Sequence, residues 1–304
     1  MSADPALGSA LARLESRWGS AAVRVGLGVG RPGVPSRPAA IASPSVDGAL
    51  ALAPAEADPD PADTAAPLPD EVVPTGFRHL DALLGTGGLP RGASASFRGP
   101  RSSGKTTLAL HCLAQTQARG GIVAYLDLCR VFDPLEAAAR GVDLRWLLVC
   151  RPADVDEGWA IAAALVSGRQ IDLLVIDLPE HLRAGHDASL RRLAAHARRA
   201  NVRLIVLEPT ELAAPVHGAL AESVGLRLEL EQRAWLRAGR DIVGRSVSVN
   251  VAKNRFGPPG RQTEIEIRYL ADGEHGAAIE RFATPDQQLD LPASTPAPLL
   301  ARSA

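Results

Sequence analysis

Lysine is nearly absent from this chain: the sequence carries 33 Lys plus Arg, yet only Lys105 and Lys253 are lysines. Cysteine is scarce too, and the three present, Cys112, Cys129 and Cys150, are an odd number without CxxC spacing, so neither a disulfide framework nor a zinc site is suggested. No stretch approaches about 18 uninterrupted apolar residues, and no basic region precedes an apolar run at the amino terminus, so we expect a cytoplasmic protein without a membrane partner. Charge of one sign is also lacking. The formal net charge of -1 and pI near 6.7 exclude a surface that is wholly a nucleic-acid footprint, leaving room for a local basic groove. Apolar residues are plentiful, at 46% of 304 residues, enough for a sizeable core.

The chain changes texture along its length. Residues 4–18, "DPALGSALARLESRW", place Asp4 as an N-cap, Pro5 at the first helical position, and Leu7, Leu11, Leu14 and Trp18 on one face. The following "AAVRVGLG" alternates like a strand, with Val23 and Val25 on one side. A helix and strand this small cannot bury themselves, so residues 1–29 are set apart as an element that needs a partner surface. Residues 30–73, rich in Ala, Pro, Asp and Ser without periodicity, read as a disordered linker averaging roughly 35 Å end to end. A globular core spans 74–282, and 283–304 reads as a disordered tail.

Within the core, strands are expected at 94–97, 122–127, 147–150, 173–177, 204–207, 225–231, 246–252 and 263–269. Helices are expected at 105–117, 134–140, 155–167 and 188–200. Alternating strands and helices imply an α/β fold with a mostly parallel sheet and helices on both faces. The last three strands have no helix between them and should form an antiparallel edge.

One of the two lysines lies in "GPRSSGKTTL". Gly99, Pro100, Arg101, Ser102, Ser103, Gly104, Lys105 and Thr106 satisfy G-x-x-x-x-G-K-[ST], with Thr107 following, and they join a strand to a helix. Glycines let backbone N–H groups wrap a phosphate at a helix N-terminus, the lysine bridges the outer phosphates, and the Thr106 hydroxyl can ligate magnesium. The alternative is a glycine-rich turn that merely caps a helix. In "QIDLLVID", a buried strand ends in Asp177, whose carboxylate can hold magnesium through water, although an acid there also serves as a turn or capping residue.

Several stretches, in order, carry a resemblance: "PTGFRHLDALLGTGGLPRG" from Pro74, "GPRSSGKTTLAL", "AYLDLCRVFDP", "GVDLRWLLVCRP" and "VNVAKNRFGPPGRQTEIEI". Together with "ALGSALARLESRWGSAAVRVG" near the start, they resemble the bacterial RecA recombinase family. The resemblance implies a RecA-type P-loop ATPase core using ATP and Mg2+ bound between neighbouring subunits. It implies an amino-terminal element that docks on the next protomer, hence self-association or joining of a RecA filament. It assigns Asp133 to the adenine side, where Asp-Pro is equally an N-cap signal. It also sends Lys253 and Arg255 across the interface to a neighbour's phosphates, where the plain reading is a pair of solvated residues at a strand end.

Departures from the family matter as much. Cys129 stands where the family has the glutamate that activates water, so no catalytic residue can be assigned and hydrolysis is expected to be slow. Asp127, two residues earlier, is expected on the other sheet face. Glu208 and Pro209 replace the family's phosphate-sensing glutamine. The segments "LPEHLRAGHDA" and "PTELAAPVHGALAES" are short where the family has mobile DNA-binding loops, which makes the middle resemble the ImuA group of accessory proteins in translesion synthesis. Arg191, Arg192, Arg198 and Arg199 offer a basic helix face that suits phosphates or plain solvent. Two functions stay open: an ATP-binding repair or recombination protein of the SOS response acting on single-stranded DNA, and a non-catalytic adaptor for RecA or a translesion polymerase.

Overall fold

The computed structural model describes residues 23–25, 71–182 and 185–269. Most of the amino-terminal element, nearly all of the linker and the whole tail lie outside these residues. Short pieces come first: strand β1 (Val23–Val25), β2 (Val72–Val73), helix α1 (Arg78–Leu84), closed by Gly85 at φ 82, and β3 (Leu89–Pro90). Val72 and Val73, read from sequence as the end of the linker, pair with β3 in a small two-stranded sheet.

The main run alternates β4 (Ser94–Arg98), α2 (Lys105–Gln117), β5 (Val123–Asp127), α3 (Pro134–Ala139), β6 (Leu147–Cys150), α4 (Val155–Gly168), β7 (Leu173–Asp177), α5 (His186–Ala200) and β8 (Arg203–Glu208). Then come α6 (Ala214–Ser223), β9 (Leu226–Ala238), β10 (Asp241–Asn254) and β11 (Gln262–Arg268). Local chemistry sets these starts. Asp133 accepts from the amides of Leu135 and Glu136 with Pro134 at the first helical position, and Asp154 accepts from Glu157 N at 2.8 Å.

The nine-stranded sheet runs β1-β6-β5-β7-β8-β4-β9-β10-β11. Strands β6, β5, β7, β8, β4 and β9 are parallel, whereas β1, β10 and β11 pair antiparallel. Central strands such as "LLVID" are buried on both faces, as a helix-covered parallel sheet requires. Alternate residues divide two cores. Leu126, Ile176 and Val206 pack under α4, α5 and α6; Tyr125, Val175 and Leu207 pack with α1, α2 and α3.

Three sequence expectations are corrected. The segment after Glu208, read as a loop, contains α6, whose Val216, Ala219 and Leu220 are buried. The β9–β10 hairpin is longer than its apolar pattern suggests, because its outer half projects into solvent and needs no alternation. Asp127 does not face away: it pairs in parallel register with Asp177, and each follows by two residues a side chain, Tyr125 or Val175, that packs on the α2 side, so both lie on that face. Ile176→Ala should cost roughly 2–5 kcal/mol, because Ile176 is fully buried beside α4 and α5. Urea unfolding should show a lower midpoint with an unchanged slope.

Candidate phosphate and metal site

The candidate site sits at the carboxyl ends of β4, β5, β7 and β8, where parallel strands leave their next residues on one rim. β4 runs from Arg98 directly into Gly99, whose amide donates to Glu208 O at 3.2 Å. A side chain at Gly99 would lie 2.6 Å from Leu230 O, so only glycine fits this approach to β9. Ser103 N donates to Pro100 O at 3.2 Å, and Gly104, at φ 93, turns the chain into α2. The result is a closed turn ending at the amides of the first turn of α2, which lack helical partners and favour an anion.

Lys105 Nζ donates to Gly99 O at 3.0 Å and Pro100 O at 3.2 Å, arching over the loop. Burial lowers its pKa below the usual lysine value, opposed by the charges of Asp177 and Glu211. Thr106 is exposed and Thr107 is buried in the same turn. Across from Lys105, the Asp177 carboxylate accepts from Tyr125 OH at 3.2 Å. Burial pushes Asp177 up to about 6, against the pull of Tyr125 and Lys105 and aided by Asp127. A carboxylate so poorly hydrated gains from a cation, and Thr106 and Asp177 together offer the hard oxygen donors that magnesium takes alongside phosphate and water. Among the described residues no cluster of three His, Cys, Asp or Glu holds a metal on protein ligands alone.

The structure brings some expected residues together and leaves others apart. Gly99 to Thr107 and Asp177 share the site. Cys129 joins them with its thiol against Asp177 O at 3.7 Å; burial, then the charges of Asp177 and Asp127, push it up to about 12. It cannot act as a base near neutral pH. Asp127 lies close by, committed to Val131 N, Phe132 N and Arg151 Nε at 2.9, 3.1 and 2.9 Å. Asp133 is occupied as the cap of α3. Lys253 Nζ donates to Ala221 O at 2.6 Å and Glu222 O at 3.0 Å, and Arg255 donates to Glu222 O, so both cap α6 within their own chain. Arg191 pairs with Glu222, while Arg192 and Arg199 are exposed.

Sequence reasoning named Arg101 and Glu208 but missed the partners that fix them, Glu180 for the first and His217, Arg227 and Arg98 for the second. Arg101 pairs with Glu180 at 2.8 Å across the mouth of the site. Glu208 is fully buried with His217 at 2.6 Å, Arg227 at 3.0 Å and Arg98 at 3.3 Å, while its Oε2 has no hydrogen-bond partner. In the sequence Glu208 stood out only as a departure at a strand end, and nothing local announced its three partners.

A mostly parallel sheet, helix-covered on both faces and edged by an antiparallel hairpin, with a candidate phosphate loop at the carboxyl ends of its strands, defines an α/β nucleotide-binding type of core. The RecA N-terminal domain model matches residues 64–185. The RecA protein of Leifsonia xyli subsp. xyli is 35% identical over 242 residues, covering 70% of this chain and 68% of its own length. That of Brucella anthropi is 34% identical over 229 residues, covering 66% and 63%. The crystal structure of the RadB recombinase superposes with a TM-score of 0.51 at 27% identity, covering 64% of this chain and 96% of that one. The chain belongs to the RecA family. Against three such relatives it spans only 60 to 63% of their length.

Because the pKa of Asp177 rises on folding from 3.8 to about 6, the folded state holds this proton more tightly than the unfolded chain. The stability this gives is complete below about pH 4 and lost as pH rises through about 6, roughly 3 kcal/mol in all. Asp177→Asn should abolish that loss, raising the urea midpoint at pH 8 and leaving it unchanged near pH 4. The same substitution should weaken magnesium-dependent nucleotide binding.

Proposed function

We propose that this chain is a RecA-family DNA repair or recombination protein of the cytoplasm that binds Mg-ATP and hydrolyses it slowly. ATP would lie on Gly99 to Thr107, its outer phosphates met by Lys105, with magnesium on Thr106 and water-linked Asp177, and adenine toward Asp133. The observation that carries this reading is the combination of an intact phosphate loop facing Asp177 with a neutral thiol at the base position. Magnesium supplies charge neutralisation between the phosphates; the protein contributes orientation and the ammonium of Lys105.

The resemblance extends the reading to assembly. Strand β1 pairs with the outer edge of β6, Val23 opposite Cys150. The same antiparallel pairing made with a neighbour would join copies of this chain, or this chain to a RecA filament. Four of the exposed large apolar residues, Val131, Leu135, Trp235 and Tyr269, lie on segments around the loop and α3, in keeping with a subunit seated over ATP. There Lys253 and Arg255 would leave the end of α6 to reach a neighbour's phosphates. Single-stranded DNA is the ligand we assign to the assembled form.

A second reading is favoured by α6 itself. Where the family has a mobile loop, this chain has a helix fixed by the Glu208 cluster, which suits an ImuA-like adaptor serving a translesion polymerase without turnover. ATPase measurements with and without single-stranded DNA separate the two, since stimulation supports the first and its absence the second. Cys129→Glu should raise turnover by up to about 100-fold if general-base action is restored. Removing residues 1–29 should leave a folded, nucleotide-binding monomer that no longer self-associates or joins RecA filaments; unchanged sedimentation, with and without RecA, counts against the assembly.

A further inference from the structure

We propose that Arg245 is a positioning residue for the phosphate loop, holding the turn Pro100–Ser103 closed from β10 so that the amides at the start of α2 meet the phosphates as a fixed set. The inference rests on the nucleotide reading of that loop and adds a residue that no part of the loop's sequence announces.

Ser102 has φ 63, a left-handed conformation that a serine adopts at a cost and keeps only where its surroundings enforce it. The enforcing contact comes from the other side of the fold. Arg245 Nη1 donates to the Ser102 carbonyl, which turns that carbonyl outward while the next amide, Ser103 N, donates to Pro100 O at 3.2 Å. The Ser102–Ser103 peptide is thus gripped at both ends. Directly after it, Gly104 at φ 93 leads into Lys105, the first residue of α2. A concave run of amides binds an anion only if the peptides are oriented before it arrives.

The backing is shared by two strands. Arg245 lies opposite Ile267 on β11, and Ile267 Cδ1 is the atom that a side chain at Gly104 would meet at 2.5 Å. The β10–β11 pair therefore supports the loop at two points, Arg245 at Ser102 and Ile267 at Gly104. The guanidinium is itself steadied 5.8 Å from the centre of the Tyr269 ring. Its Nε is buried and makes no hydrogen bond among the described residues, so the guanidinium's direct contact with the loop is the one through Nη1. Arg245 also faces Trp235 across the hairpin, so loop and projecting arm are joined through one side chain.

The test compares the full chain with its Arg245→Met, Arg245→Gln and Lys105→Ala variants. A fluorescent ADP analogue is titrated into each, and amide exchange is followed in the nucleotide-free proteins. Arg245→Met should weaken the analogue about tenfold, the scale of one lost charge-assisted hydrogen bond. Arg245→Gln should recover most of that loss, because its amide can still donate to Ser102 O. Exchange at Ser103 should quicken about tenfold in Arg245→Met while exchange at Gly99, whose amide is held by Glu208 O, stays unchanged. Equal affinity of Arg245→Met and parent, or equal losses in the Met and Gln variants, overturns the proposal. If the parent and Lys105→Ala alike fail to bind the analogue, the nucleotide reading falls, and Ser103 exchange alone decides: an unchanged rate in Arg245→Met sinks the role assigned to Arg245.

Discussion

Asp177 and Lys105 face each other in a poorly hydrated space at the carboxyl ends of the parallel strands, and the charges of neither are fully compensated. Burial raises the carboxylate and lowers the ammonium, so each stands closer to neutrality than in water. Such an arrangement lowers the stability of the bare fold and raises the gain from a ligand that brings both an anion and a cation. Magnesium with a polyphosphate is such a ligand. The sheet holds this pair in place: β7 ends at Asp177, α2 begins at Lys105, and both elements are anchored by apolar residues on either side.

Around that centre the charges have been redistributed toward fixity. The carboxylate expected to activate water is a thiol, and nearby Asp127 is spent on holding the chain between β5 and α3. Glu208 binds His217, Arg227 and Arg98, which locks α6 to β8, β9 and the foot of the phosphate loop. Lys253 adds a cation at the far end of α6, where the helix dipole favours one. Both lysines of the chain thus donate to backbone carbonyl oxygens as compact point charges, a role that a planar guanidinium fills less well. On the proposed reading, this architecture keeps the groups that would bind nucleotide and fixes in place those that would answer hydrolysis.

Much of this was legible in the sequence because its signals are local. The phosphate loop is a contiguous motif between a strand and a helix, and α2 was bounded correctly at 105–117. Buried parallel strands announce themselves as short apolar runs. The features that escaped the sequence depend on distant partners. Helix α6 carries Pro215 and Gly218 and looks like a loop until α5 packs beside it. Glu208 reads as a broken sensor until His217 and Arg227 arrive from two other elements. The contact between Arg245 and Ser102 links two strands' worth of unrelated sequence, and no periodicity marks it. The placing of Asp127 was within reach of sequence in part, since alternation puts positions 127 and 129 on one face, while its pairing with Asp177 depends on a register that no local signal sets.

Nucleotide binding without rapid turnover is the central claim, and the most direct measurement takes both properties from one sample. Full-length protein is equilibrated with radiolabelled ATP with and without magnesium, separated from free nucleotide, and the bound label is identified over several hours. Saturable one-to-one binding that needs magnesium is the predicted result, with the bound label recovered chiefly as ATP. Absence of binding, or recovery chiefly as ADP within minutes, contradicts it.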